Sequence, residues 1–266
     1  MQLAGKIIVI TGASTGIGEA LALALARRET RLVLAARDGA KLAQVAEQCV
    51  RLGGRAIAHV TDVAKPADCQ ALIDRTLQEF GGLDVLVNNA GSTMWARFDA
   101  LTDLSIFEQL MKVNYLGAVY LTHRALAALK VSRGLIVAVT SLAGFTGVPE
   151  RSGYTASKHA MVGFFESLRI ELDGSGVDVT IVAPDFVVSE VHKRAIGADG
   201  KPLGASPMQT SRIMTAADCA ARIVSAIEHR RRLVILSARG RFGRWLKLIA
   251  PRLIDKIAAN AIRRRY

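Results

Sequence analysis

Cysteine is scarce in this sequence, and the three present, Cys49, Cys69 and Cys219, are odd in number, widely separated and in no metal-ligand spacing. That excludes a disulfide framework and predicts reduced thiols without a chemical role. His59, His123, His159, His192 and His229 also lack ligand spacing, so no metal is expected. No uninterrupted apolar run reaches the roughly 18 residues of a membrane-spanning helix, because Glu19, Arg27 and Arg28 break the best candidate. Met1 to Ile10 lacks the basic start, apolar core and cleavage site of a secretory signal, so a cytoplasmic protein is expected. Acidic residues are nearly missing from one place. Residues 230–266 hold ten Arg and two Lys against the single Asp255, and so carry almost all of the net charge of +12. The basicity belongs to a tail, and gives no reason to expect a core that binds nucleic acid.

What is abundant is aliphatic. Half of the 266 residues are apolar but only 5% are aromatic, which suits one large α/β domain with a parallel sheet. Short β-branched runs at Lys6–Ile10, Arg31–Ala36, Arg55–Val60, Leu83–Asn88, Gly134–Thr140, Val177–Val182 and Arg232–Leu236 read as seven strands. Between them, Ile17–Arg28, Asp38–Leu52, Pro66–Phe80, Leu101–Leu129, Ser152–Leu172 and Thr215–His229 carry apolar residues at helical steps. Pro66 suits a first helical turn, and Thr215 with Asp218 has the form of a capping box. Strand–helix alternation of this length predicts a Rossmann-type, doubly wound parallel seven-stranded sheet flanked by helices in a single domain. Residues 1–237 form that domain, with a Gly- and Pro-rich segment over about 185–212 read as a substrate lid. Residues 238–266 form the basic tail.

The first strand leads into Thr11-Gly12-Ala13-Ser14-Thr15-Gly16-Ile17-Gly18 and then a helix. Gly12 permits a tight turn, Gly16 and Gly18 allow close approach of backbone and helix, and the free N–H groups of the helix start suit a pyrophosphate. Further on stand Asn89-Ala90-Gly91 after the fourth strand, Asn114 in a helix, Ser141 after the fifth strand, and Tyr154 with Lys158 four residues later. A phenol ordinarily ionises near ~10, too high for a base near neutrality, so acid/base work by tyrosine needs a cation beside the phenolate. Lys158 falls on the same helical face as Tyr154.

In order and spacing, over about residues 5–236, these motifs resemble those of the short-chain dehydrogenase/reductase family. The resemblance implies hydride transfer between a nicotinamide cofactor and a carbonyl or secondary alcohol. Tyr154 would be the proton donor or acceptor, and Lys158 its electrostatic partner and a donor to the nicotinamide ribose. Ser141 would hydrogen-bond the substrate oxygen, and Asn114 would hold a water linking Lys158 to solvent. The glycine loop, with Ser14, Thr15, Gly16 and Ile17, would bind the pyrophosphate. Asp62 and Val63 would flank the adenine, Asn89, Ala90 and Gly91 would line the channel, and Pro184, Val187 and Ser189 would contact the nicotinamide. Members preferring NAD usually carry an acid where Ala36 stands, whereas Arg37 resembles the cation of NADP-dependent ones. NADP(H) is therefore expected over NAD(H), unless Asp38 turns to a ribose hydroxyl instead. One departure is Asp185, where the family usually has Gly, and it leaves the carboxamide contacts open.

Thr93, Met94, Trp95, Phe145, Val148, Val191, Ile196, Leu203 and Met208 are candidates for an apolar substrate pocket. By resemblance a homodimer or homotetramer is expected. From Arg239 to Ile262 the tail reads as an amphipathic basic helix kinked at Pro251. Two readings stand for it: peripheral attachment to an anionic membrane, or packing of the apolar face on its own domain or a second subunit. A pure NADPH-binding sensor is the competing function, although it has no use for the Asn114, Ser141, Tyr154 and Lys158 set.

Overall fold

In a computed structural model, described for residues 1–188, 191–205 and 213–263, the seven strands are Ile7–Thr11 (β1), Arg31–Ala36 (β2), Arg55–Val60 (β3), Val85–Asn88 (β4), Leu135–Val139 (β5), Asp178–Ala183 (β6) and Leu233–Ile235 (β7). They pair in parallel in the order β3-β2-β1-β4-β5-β6-β7. Successive side chains of a strand point to opposite faces, and both faces here are apolar. Ile8, Ile10, Leu32, Leu34, Val85 and Val87 belong to one core, packed under α1 (Gly16–Ala26), α2 (Gly39–Arg51) and α7 (Ala216–Glu228). Val9, Val33, Ala35, Leu86 and Ile136 belong to the other, under α3 (Pro66–Phe80), α5 (Gly117–Ser132) and α6 (Ser152–Glu171). The order in which strands are added reverses between β1 and β4, so the strand ends there open the crevice in which such folds bind ligands.

Local signals hold where they are local. Pro66 occupies the first turn of α3, and the Thr215 hydroxyl caps α7 by accepting from Asp218 N–H at 3.0 Å. The long helix expected over 101–129 is broken up. It comprises α4 (Ser105–Leu110), a π turn (Met111–Leu116) and α5. The Asp103 carboxylate accepts from Ser105 N–H at 2.8 Å and sets the start. The tail is two helices rather than one kinked helix: α8 (Ala238–Ile249) and α9 (Pro251–Arg263) pack on each other, with Pro251 opening the second. Among the described residues, no helix is long and apolar enough to cross a membrane.

Candidate active site

The glycine loop is shaped by what it must approach. Gly12 sits at φ 65°, and a Cβ there would lie 2.9 Å from Ala90 Cα. A Cβ on Gly18 would lie 2.1 Å from Gly12 O, so α1 abuts the loop with no room for a side chain. Asn89 holds this arrangement from the far side, donating through Nδ2 to Thr11 O at 2.8 Å, while the Thr11 hydroxyl accepts from Asn89 N–H and Ala90 N–H. Thr15 is the α1 N-cap residue and makes no side-chain cap bond. Its hydroxyl accepts from Arg194 at 2.8 Å instead, so a cation from the segment after β6 stands at the predicted pyrophosphate position. Sequence reasoning did not single out Arg194.

Gly12, Ser14, Thr15, Gly16 and Ile17 line one cavity of about 880 Å³, together with Arg37, Asp62, Val63, Asn89, Ala90, Gly91, Ser141, Tyr154, Lys158, Pro184 and Val187. That volume is in the upper part of the ~300–1,000 Å³ range of small-molecule sites. Gly18 packs behind the loop, and Ser189 lies outside the described residues. Arg37 is exposed at the end of β2. Asp38 is occupied otherwise: its carboxylate caps α2, accepting from Lys41 N–H at 3.1 Å. Asp62 likewise accepts from Ala64 N–H at 3.1 Å, which fixes the turn after β3.

The polar set converges beside this cradle. Ser141 follows β5, and its hydroxyl accepts from Ala143 N–H at 3.2 Å. Tyr154 is in the first turn of α6, and Lys158 Nζ is 5.9 Å from its ring centroid. Lys158 is 3% exposed and donates to Val139 O at 3.1 Å. Burial penalises its ammonium form and lowers its pKa from 10.5 to about 8, which still leaves the group mainly protonated at neutral pH. Asn114 is buried in the π turn, and its whole side chain is spoken for. Its Oδ1 accepts from Ser92 N–H at 2.7 Å, and Nδ2 donates to Ser92 O and to the Ser157 hydroxyl, each at 2.9 Å. The side chain thus ties the loop after β4 to α6.

The substrate end differs from expectation. Phe145, Val148, Thr93, Val191 and Ile196 line the cavity, whereas Met94 is packed against Ile106 and Leu110. Trp95 is buried too, donating through Nε1 to Glu150 Oε2 at 2.7 Å, with the Arg151 guanidinium 4.7 Å from its ring centroid. Leu203 is not among the lining residues, and Met208 lies outside the described ones. In their place the tail supplies Gly240, Gly243, Arg244, Ile254 and Ile257. Asp185 explains how the tail gets there. Its carboxylate accepts from Arg239 Nη2 and from the Ser237 hydroxyl, each at 2.8 Å, and from the Phe186 N–H at 2.9 Å. The residue that departs from the family pattern is turned toward the tail, at the wall of the cavity. Asp185→Gly is expected to loosen α8, measured as faster limited proteolysis around residues 236–240; unchanged cleavage would mean the clasp does not hold the helix.

The three thiols are buried, and burial pushes Cys49 and Cys69 up to about 11 and Cys219 up to about 12, so none is a nucleophile at neutral pH.

A family profile described as short chain dehydrogenase matches residues 6–198. The 11-beta-hydroxysteroid dehydrogenase 1A of Arabidopsis thaliana is 38% identical over 261 residues, covering 96% of this chain and 74% of that protein. A short chain dehydrogenase/reductase from Burkholderia phymatum in complex with NAD superposes with a TM-score of 0.83 at 26% identity, over 95% of this chain and 96% of that one. An alcohol dehydrogenase from Thermococcus sibiricus complexed with 5-hydroxy-NADP gives 0.74 at 28% identity, over 87% and 94%. With its parallel seven-stranded sheet and this match over most of its length, the chain belongs to the short-chain dehydrogenase/reductase family.

Proposed function

We propose that this oxidoreductase interconverts a hydrophobic secondary alcohol and its ketone with NADP(H). The observation that carries the reading is the convergence of the glycine loop, Arg37, Ser141, Tyr154 and Lys158 on one cavity whose far end is apolar. The residues fit a dinucleotide: no Cβ has room at Gly12 or Gly18, the start of α1 offers N–H groups, and Arg37 and Arg194 supply cations where phosphates would lie. When bound, the nicotinamide supplies or accepts the hydride. Tyr154 gives its hydroxyl proton to the substrate oxygen in reduction and takes the alcohol proton in oxidation. The Ser141 hydroxyl donates to the same oxygen and stabilises charge developing there. Lys158, buried and mainly charged at pH 7, sets a cation beside the Tyr154 ring and would donate to the nicotinamide ribose.

The apolar end, with Leu142, Phe145, Val148, Phe186, Val191 and Ile196, suits a bulky lipophilic ketone. The hydroxysteroid dehydrogenase name of the Arabidopsis relative supports a secondary alcohol of that kind. By family analogy the protein works as a homodimer or homotetramer through α5 and α6, which leave Val131 and Ile170 exposed, and it works in the cytoplasm.

The choice of NADP(H) is supported by Arg37 on the cavity wall and by the capping role of Asp38, whose carboxylate is held on the start of α2. Fluorescence titration is expected to give tighter binding of NADPH than of NADH, with Arg37→Ala weakening NADPH roughly ten- to hundredfold and leaving NADH unchanged. Equal affinities in the parent protein would remove the preference, and an unchanged preference in the variant would remove Arg37 from it.

A further inference from the structure

The first helix of the tail, α8, joins the domain by polar and backbone contacts, while Ile254 and Ile257 of α9 face the cavity. Arg239 and Ser237 grip Asp185, and Gly240 is pressed so closely on Leu142 that a Cβ there would lie 2.5 Å from Leu142 Cδ2. Lys247 Nζ donates to Phe145 O at 2.8 Å, and the Arg244 guanidinium lies 5.4 Å from the Phe145 ring centroid. Apolar side chains are nonetheless left on the outside. Phe242 and Trp245 are each 68% exposed, Leu248 and Ile249 are more so, and Leu253 and Ile257 of α9 are about half exposed. Around them stand exposed Arg241, Arg244, Arg252 and Lys256, with Asp255 the single acid of the tail. The exposed apolar residues of α8 are therefore not packed on the domain. A second copy of the same face would bring two cation-rich surfaces together, which like-charge repulsion opposes. A row of aromatic and aliphatic side chains ringed by Arg and Lys complements an anionic lipid surface, with Trp245 suited to the interface.

The hairpin also walls the catalytic cavity. Gly240, Gly243, Arg244, Ile254, Ile257 and Ala258 line it, and Ile257 is at once a lining residue and about half exposed. We infer that α8 and α9 seat the protein on an anionic lipid surface and that a lipophilic substrate passes from the lipid into the cavity beside Ile257. The passage rests on the proposed hydrophobic substrate. The seating does not.

Vesicle binding separates the two, because it needs neither cofactor nor turnover. The full chain is mixed with phosphatidylcholine vesicles, with and without phosphatidylserine, and followed by sedimentation and by the emission of Trp245. Partition into the anionic vesicles at least about tenfold above the neutral ones is expected, with a blue shift of emission. Phe242→Ser/Ile249→Ser is expected to abolish it. Arg252→Gln/Lys256→Gln is expected to weaken it by about tenfold and to flatten its salt dependence. All four positions are exposed, and thermal melting checks that both variants fold. Failure to bind anionic vesicles, or binding that survives both pairs of substitutions, overturns the inference. So does a dimer in light scattering that Phe242→Ser/Ile249→Ser turns to monomer without any vesicle binding, which would assign the face to a second copy. If seating holds but vesicle-borne ketone is turned over no faster than with the Phe242→Ser/Ile249→Ser variant, the passage is overturned and the cofactor chemistry is untouched.

Discussion

Replacing Tyr154 by Phe is expected to lower turnover of a ketone substrate on the order of 10³-fold while NADPH affinity changes by less than about twofold. The substitution removes one oxygen and keeps the ring. That ring lies between two cations, with the Arg151 guanidinium 5.0 Å and Lys158 Nζ 5.9 Å from its centroid, and it packs in the small cluster of Met94, Ile106 and Leu110. Phe keeps those contacts, so the α6 start and the cradle built on β1 and β4 should be undisturbed. What is lost is the proton that must reach the substrate oxygen as hydride arrives, while the Ser141 hydroxyl at the end of β5 stays in place on the cavity wall.

Stopped-flow measurement of NADPH oxidation in a single turnover separates that step from binding and product release. Retention of the parent rate would remove Tyr154 from the proton transfer. A parallel loss of NADPH binding would make the residue a structural support of the cradle. The competing sensor function makes a different forecast, in which NADPH binds to both proteins and neither consumes it with any ketone.

The strands and most helices were legible because their signals are local: β-branched runs for β1 to β7, Pro66 for α3, and the Thr215 hydroxyl for α7. The glycine loop was legible from its place between a strand and a helix, the residues after β4 and β5 only through the family resemblance, and the sheet topology sets these strand ends side by side. The π turn was not. Nothing in the period of residues 105–132 marks an extra residue per turn, and it is this turn that presents Asn114 to Ser92 and Ser157. The tail was legible as basic and amphipathic, but its docking depends on a partner 54 positions away, where Asp185 meets Arg239. A signal did exist: an acid standing where the family has Gly, in a chain whose only large excess of cations lies in the tail. Arg194 left no such trace, since its bond to Thr15 spans 179 positions and periodicity does not fix the path of the chain after β6.

Lys158→Met is expected to abolish most activity and yet to make the ligand-free protein more stable. The side chain is 3% exposed with its ammonium in an apolar setting, its partners being Val139 O at 3.1 Å and Met161 Sδ at 3.8 Å. Burial lowers its pKa from 10.5 to about 8. A group that holds its proton less tightly folded than unfolded costs stability at any pH below its folded value. At pH 7 the gap corresponds to about 3 kcal/mol. Met fills nearly the same volume without a charge, but leaves Val139 O without its donor, which returns about 1 kcal/mol. A net gain of about 2 kcal/mol, or a Tm higher by roughly 4–8 °C, is expected at pH 7. The sign reverses the usual pattern for a lost interaction, and pH tests it. Between pH 8 and 10.5 the unfolded chain binds more protons than the folded one, so the parent protein gains stability relative to the variant and the gap closes. Thermal melts of both proteins across that range measure it. A variant that is less stable at pH 7, or a gap that does not narrow as pH rises, would mean that the ammonium is not stored at a cost. A stable, inactive variant that also binds NADPH about tenfold more weakly would locate the reason for that cost in the ribose contact and the charge beside Tyr154.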